Sequence, residues 1–151
     1  MSSCPFCEII EKRSPAEVVY ETEHTLAFFP TEPATRGHTM VIPKSHVESI
    51  LDFHTADSPE LFEVVLKVSR ALNEVLQPEG MNIITSAGEV ASQSVPHLHI
   101  HLVPRWSNDA VGEIWPPKVP TPGAILEDVA ESIRDYCNSE HLELRNPDDG
   151  D

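Results

Sequence analysis

Between residues 95 and 106 the chain reads Val-Pro-His-Leu-His-Ile-His-Leu-Val-Pro-Arg-Trp, which sets His97, His99 and His101 two residues apart with an aliphatic residue in each gap. Neutral imidazole is a nucleophile at one nitrogen and a donor at the other, and it is the commonest metal ligand. Three rings in one row therefore suit covalent or proton-transfer chemistry, or the binding of a metal. A half-exposed edge strand with a fortuitous histidine cluster is the plain alternative. A second group of reactive side chains opens the chain, Cys4-Pro-Phe-Cys7. With only three cysteines, that close pair reads as reduced thiols in a metal clip rather than as part of a disulfide framework.

The elements that must position these residues follow from periodicity. Successive side chains of a strand point to opposite faces, so a strand over Pro96 to Val103 puts the three histidines on one face and Leu98, Ile100 and Leu102 on the other. Pro96 and Pro104 bound a run too short for a helix. Val18 to Tyr20, Leu26 to Phe29 and His38 to Ile42 read as a meander of antiparallel strands, and Met81 to Thr85 as a further strand. Leu61, Val64, Val65, Val68, Ala71, Leu72, Val75 and Leu76 recur at helical steps, with Asp57 or Ser58 as N-cap and Pro59 in the first turn. The small, polar segment from Ser86 to Gln93 is a loop that could admit an anion closely. Beyond Trp106 come a proline-rich stretch from Trp115 to Pro122, a helix with Ile125, Val129, Ile133 and Tyr136 on one side and Cys137 as a small packing residue, and an acidic end from Asn146 to Asp151 that reads as frayed. No internal repeat is present.

The run from His97 to Val103 resembles the signature of the histidine triad (HIT) family of nucleotide hydrolases and transferases. The likeness extends in order and spacing through Cys4-Pro-Phe-Cys7, Ala27-Phe-Phe, Pro33, Gly37-His38-Thr-Met-Val-Ile-Pro43-Lys44-Ser-His46 and Gln93-Ser94-Val95. It covers roughly residues 4 to 106. It implies an α+β fold, a five-stranded antiparallel sheet with two main helices, in one domain over 1–137 followed by an acidic tail over 138–151, and a homodimer.

The resemblance also assigns roles. His99 is the implied nucleophile, attacking the α-phosphorus of a nucleotide to form a covalent nucleotidyl-histidine. Its Nε2 must then carry the lone pair and its Nδ1 the proton, donated to a backbone carbonyl. His101 would hydrogen-bond the phosphate, Ser94 would contact the leaving group, and His38 would support the triad from the adjacent strand. Phe28, Thr31, Glu32, Ser86, Ser92 and Gln93 complete the implied nucleotide contacts. Cys4, Cys7, His46 and His97 match the ligands of zinc-containing relatives, a closed tetrahedral set whose role is scaffolding rather than Lewis-acid chemistry. Trp115-Pro-Pro is similar to elements that complete the partner's site in nucleotide-binding members, with a core anchor as the alternative for Trp115.

Three positions depart from the family's pattern. Pro30 stands where many members carry the aspartate that grips the ribose, leaving Glu32 as the nearest acid. Ser86 replaces the usual Asn or Gln, and Ser92 occupies a usual glycine position. The expected activity is hydrolysis of purine nucleoside phosphoramidates or dinucleoside polyphosphates. The alternatives are a zinc-stabilised nucleotide-binding or regulatory protein with little turnover, and a site in which all three histidines bind one catalytic metal.

Bulk properties bound the partners. A net charge of −15, from 25 acidic against 10 basic residues, repels a phosphate backbone, so no nucleic-acid polymer is expected as partner. A small phosphorylated ligand remains compatible, because salt screens that field within about 8 Å. No stretch approaches a membrane span and Met-Ser-Ser-Cys-Pro has no basic or apolar leader region, so no membrane association and a cytoplasmic location are expected.

Overall fold

The computed structural model describes residues 4–139. In chain order it contains α1 (Pro5–Ile10), β1 (Glu17–Glu21), β2 (Thr25–Phe29), β3 (Thr39–Pro43), α2 (Ser58–Leu76), β4 (Gly80–Ile84), β5 (Ile100–Arg105) and α3 (Gly123–Cys137), with short 3-10 turns at Thr55–Asp57 and Glu89–Ala91. The strands form one antiparallel five-stranded sheet in the order β1-β2-β3-β5-β4. Two compact units result, Met1–Gly112, which holds the sheet and α2, and Glu113–Asp151, which holds α3. The acidic end expected to fray lies outside the described residues.

Alternation along the strands sorts the core onto two faces. Ala27, Val41, Ile100 and Leu102 pack with Leu61, Val64, Val65, Val68 and Leu72 of α2. Leu26, Phe28, Met40 and Ile42 point the other way and pack with Phe6 of α1. Because Ile100 and Leu102 face α2, the odd-numbered histidines of the same run face α1. That single parity sets the chemistry of the molecule.

Most elements match their sequence patterns, with informative differences. The apolar stripe of α2 is buried at Leu61, Val64, Val65, Val68 and Leu72, whereas Ala71 is exposed and Val75 near its end is 78% exposed. Asp57 is its N-cap but makes no side-chain cap bond; instead Glu60 in the first turn accepts from the Thr22 hydroxyl at 2.6 Å and the His24 amide at 3.3 Å. β5 begins at Ile100 rather than at Pro96, because its ladder to β3 runs only over Ile100, His101 and Leu102. Upstream, the backbone bonds elsewhere, the Leu98 amide donating to the Val47 carbonyl at 2.7 Å. Downstream, β5 runs through Pro104, which is tolerated because by then the strand is paired only on its β4 side. The short α1 carried no periodic signal. Cys137 is exposed rather than packed, and Trp115 is 79% exposed, so it is no core anchor.

Gly37, just before the His38 of the site, has φ +83°, and a Cβ there would collide with Leu76 Cδ1 and approach Pro104 Cγ at 3.5 Å. Gly37→Ala is therefore expected to destabilise the protein by about 1–3 kcal/mol in urea melts, through backbone strain and overpacking together. Gly80→Ala, where an added Cβ meets nothing within 4 Å, serves as the control.

Candidate functional site

Four histidines sit on the α1 face; main-chain groups set the tautomers of His38, His97 and His99, and His38 sets that of His101. The Ala34 amide donates to His38 Nδ1 at 2.9 Å, so His38 carries its proton on Nε2. That proton is donated to His101 Nδ1, 2.8 Å away. His101 must then hold its own proton on Nε2, which makes no other hydrogen bond. His99 Nδ1–H donates to the His97 carbonyl at 2.7 Å, leaving the Nε2 lone pair unshared. His97 Nε2–H donates to the Pro43 carbonyl at 2.8 Å and turns Nδ1 towards the cysteines.

Neither exposed nitrogen is sealed in. Among the described residues the sole buried side-chain polar atom without a hydrogen-bond partner is Ser69 Oγ. His99 Nε2 and His101 Nε2, which make no hydrogen bond, therefore reach solvent. One presents a lone pair and the other an N–H, as a nucleophile beside an oxyanion donor would require. His99 does not stand free in a cleft, however. It is 6% exposed, packed against Phe6 and against His101 at ring-centroid distances of 5.2 and 4.8 Å.

Burial, with His99 and then His38 adding to it, pushes the His101 imidazole down to about 4, and burial lowers His38 as well. The hydrogen bond from His38 works in the same direction, since a protonated Nδ1 could not accept it. Between the ordinary histidine value near 6.5 and about 4, the unfolded chain binds protons that the folded one refuses. Stability is thus complete above pH 6.5 and falls as pH drops towards 4, by about 2–3 kcal/mol from His101. Urea melts across that range, with and without His101→Gln, measure it.

Cys4, Cys7, His46 and His97 bring their ligand atoms within 4.8 Å of one another and could hold a metal ion. The separations are 3.4 Å for Cys4 Sγ to His97 Nδ1, 3.4 Å for Cys7 Sγ to His46 Nδ1, 3.6 Å for Cys7 Sγ to His97 Nδ1, and 3.2 Å between the two Nδ1 atoms. A tetrahedron with ordinary Zn–S and Zn–N lengths has edges of about 3.3–3.8 Å, so the set fits. Burial, reinforced by the adjoining Cys4, pushes the Cys7 thiol up to about 11. Cys7 therefore becomes a thiolate at neutral pH when a cation shares the cluster. This is the one such cluster among the described residues. His99 and His101 are not part of it, so the three-histidine metal site is not formed, because each ring directs Nδ1 to a different partner.

The remaining expected contacts divide. Ser94 is exposed with an unbonded hydroxyl, and it lines an open cavity of about 500 Å³ with Glu48, Gly88, Glu89, Ser92, Gln93 and Pro96. Thr31 and Glu32 are exposed in the turn after β2, and Ser86 is half-buried after β4. Phe28, expected to touch nucleotide, is 1% exposed and packs against Phe6, so it is a core residue. Gln93 spends both amide hydrogens on the Glu48 and Val95 carbonyls, at 2.6 and 3.0 Å, and accepts from the Gly88 amide at 2.8 Å. It staples the loop rather than reaching out. Sequence reasoning missed Phe6, although an aromatic side chain enclosed between two clip cysteines was the available signal. It missed Thr85 too, whose hydroxyl donates to the His99 carbonyl at 2.9 Å.

An antiparallel sheet that carries a histidine row on one face, with its first ring drawn into a Cys-x-x-Cys cluster, defines the HIT class of domain. A model of the HIT domain matches residues 11–108, and the chain belongs to the HIT family. The crystal structure of a HIT family member from Bacillus subtilis superposes with a TM-score of 0.86 at 36% identity, covering 92% of this chain and all of that one. A zinc-bound histidine triad family protein from Mycobacterium smegmatis superposes with a TM-score of 0.68 at 33% identity, covering 89% and 97% of the two chains. The Schizosaccharomyces pombe protein named adenosine 5′-monophosphoramidase is 30% identical over 136 residues, 87% of this chain and 99% of its own length. Among the described residues no helix is long and apolar enough to cross a membrane.

Proposed function

We propose that the protein hydrolyses purine nucleoside phosphoramidates or dinucleoside polyphosphates through a covalent nucleotidyl intermediate on His99. The observation that carries this reading is the locked Nδ1–H···O=C bond from His99 to the His97 carbonyl. It leaves a neutral imidazole with its lone pair on the solvent-reaching Nε2. That nitrogen attacks the α-phosphorus, forming a P–N bond while the bond to the leaving amine or phosphate breaks. His101 Nε2–H donates to a phosphate oxygen, and the Ser94 hydroxyl hands a proton to the departing atom and regains it from solvent. Water then attacks phosphorus, its proton passes to solvent and balances the one Ser94 regained, the P–Nε2 bond breaks, and nucleoside monophosphate leaves with His99 neutral again. Glu32 takes the place of the ribose-gripping acid, and Thr31 and Ser86 contribute to the same pocket. The name of the Schizosaccharomyces pombe relative supports the phosphoramidate class.

Zinc is the ion proposed for the cluster, where it would supply a fixed tetrahedral junction. Cys4, Cys7 and His46 would hold it together with His97, whose Nε2–H bond to Pro43 already aims Nδ1 at the sulfurs. The protein acts in this reading as a cytoplasmic homodimer with one HIT domain over 1–137.

Incubation with adenosine 5′-phosphoramidate and with diadenosine polyphosphates, followed by a denaturing alkaline quench that preserves P–N bonds and by peptide mass analysis, tests the reaction. Release of AMP with a nucleotidylated peptide containing His99 is expected. One observation favours a second reading, a nucleotide-binding protein with little turnover: the near enclosure of the His99 ring, 6% exposed beneath Phe6. Nucleotide-dependent thermal stabilisation without product or adduct would establish it instead.

A further inference from the structure

His99, just before β5, is gripped from a distant part of the chain by a residue with no polar atoms on its side chain. The hydrogen bond to the His97 carbonyl opposes rotation of the imidazole about Cβ–Cγ, but only by the strength of one bond. Half a turn exchanges Nδ1 with Cδ2 and Nε2 with Cε1, which would present a C–H where the lone pair is needed. Phe6 lies at 79° to the ring on one approach, its centroid 5.2 Å away, and His101 lies at 79° on another, 4.8 Å away. With two rings packed this closely against it, the imidazole cannot sweep through the half turn without displacing one of them.

Phe6 is itself well anchored. It is 6% exposed, meets Phe28 at 5.7 Å and 71°, and touches the His97 ring at 5.8 Å. Its neighbours on either side, Cys4 and Cys7, set their sulfurs 3.4 and 3.6 Å from His97 Nδ1. The clip thus pins both ends of the turn that carries the ring.

We propose that Phe6 is a positioning residue for His99, the wall that holds the imidazole with Nε2 outward, and that the Cys-x-x-Cys clip serves the reaction by fixing this wall. The inference rests on His99 being the nucleophile of the reaction proposed above. It gives the N-terminal turn a part in turnover that neither thiol chemistry nor ligand contact supplies.

The test is Phe6→Leu, which keeps an apolar filler and removes the flat wall, with Phe6→Met in its place if the leucine protein does not fold. Turnover of adenosine 5′-phosphoramidate and long-range ¹H–¹⁵N spectra of the histidine rings are measured on the folded protein. A fall in kcat of about tenfold or more, with KM within about twofold, together with loss of the single Nδ1–H signature of His99, is expected, and Phe6→Tyr restores both. An unchanged kcat, a rise in KM alone, or an unchanged His99 signature in the folded variant overturns the proposal. The spectra require no turnover, so absence of cleavage by the wild-type protein would sink the proposed reaction while the ring signature still decides the role of Phe6.

Discussion

His99→Asn is expected to lower turnover of adenosine 5′-phosphoramidate by about 10⁴-fold or more, the scale on which removing a nucleophile acts when the rest of the site stays intact. Asparagine retains a group able to hydrogen-bond towards the His97 carbonyl but has no nitrogen lone pair available for attack at neutral pH. Binding of nucleoside monophosphate should persist within a few fold, because the His101 donor and the Ser94 loop are unchanged, and no nucleotidylated peptide should form. The comparison with His101→Asn separates bond formation from charge stabilisation. Loss of one hydrogen-bond donor to the phosphate costs about 10²–10³-fold, and the adduct on His99 should still be trapped. Equal turnover in wild type and His99→Asn would place the chemistry elsewhere.

The second large effect concerns stability. Cys4, Cys7, His46 and His97 lie on three separate stretches of the chain: the first turn of α1, which carries both cysteines, the segment after β3 and the bend before β5. A metal shared by all four welds the N-terminal turn to the sheet. With free metal about a thousandfold above its Kd, such a site contributes roughly 4 kcal/mol, or about 10–15 °C in Tm for a chain of this size. Cys4→Ser combined with Cys7→Ser should therefore melt about that much lower, and a strong chelator should lower the wild-type protein by the same amount while leaving the double variant unmoved. Calorimetry with metal analysis checks both. Full metal occupancy without the thiols would contradict the assignment.

How much of this was legible in sequence depends on which chemical group does the work. Side-chain parity was readable: Leu98, Ile100 and Leu102 are buried against α2 as alternation requires, and the two cysteines and two histidines of the resemblance meet in one cluster. The helix of α2 was readable because its stripe spans several turns. Main-chain partners were not. The carbonyls of Pro43 and His97 and the amide of Ala34, which set the histidine tautomers, exist at every residue and leave no mark on residue type. Phe28 misled for the opposite reason, since an aromatic residue near a site reads alike whether it lines a pocket or, as here, fills the core beneath Phe6. Gln93 was ambiguous in sequence, because a loop staple and a ligand contact call for the same amide.

The chain of bonds from Ala34 through His38 to His101 starts at a peptide N–H. A peptide amide does not ionise in water near neutrality, so it sets a fixed polarity that no shift in buffer can reverse. Each ring downstream inherits that orientation, and the outermost nitrogen is obliged to offer hydrogen rather than accept it. The consequence needs no charged side chain: a group with a bare oxygen can pair with this nitrogen, and one that offers only its own N–H cannot. A single link of the main chain, in a loop, thereby decides which face of an incoming molecule the protein can greet.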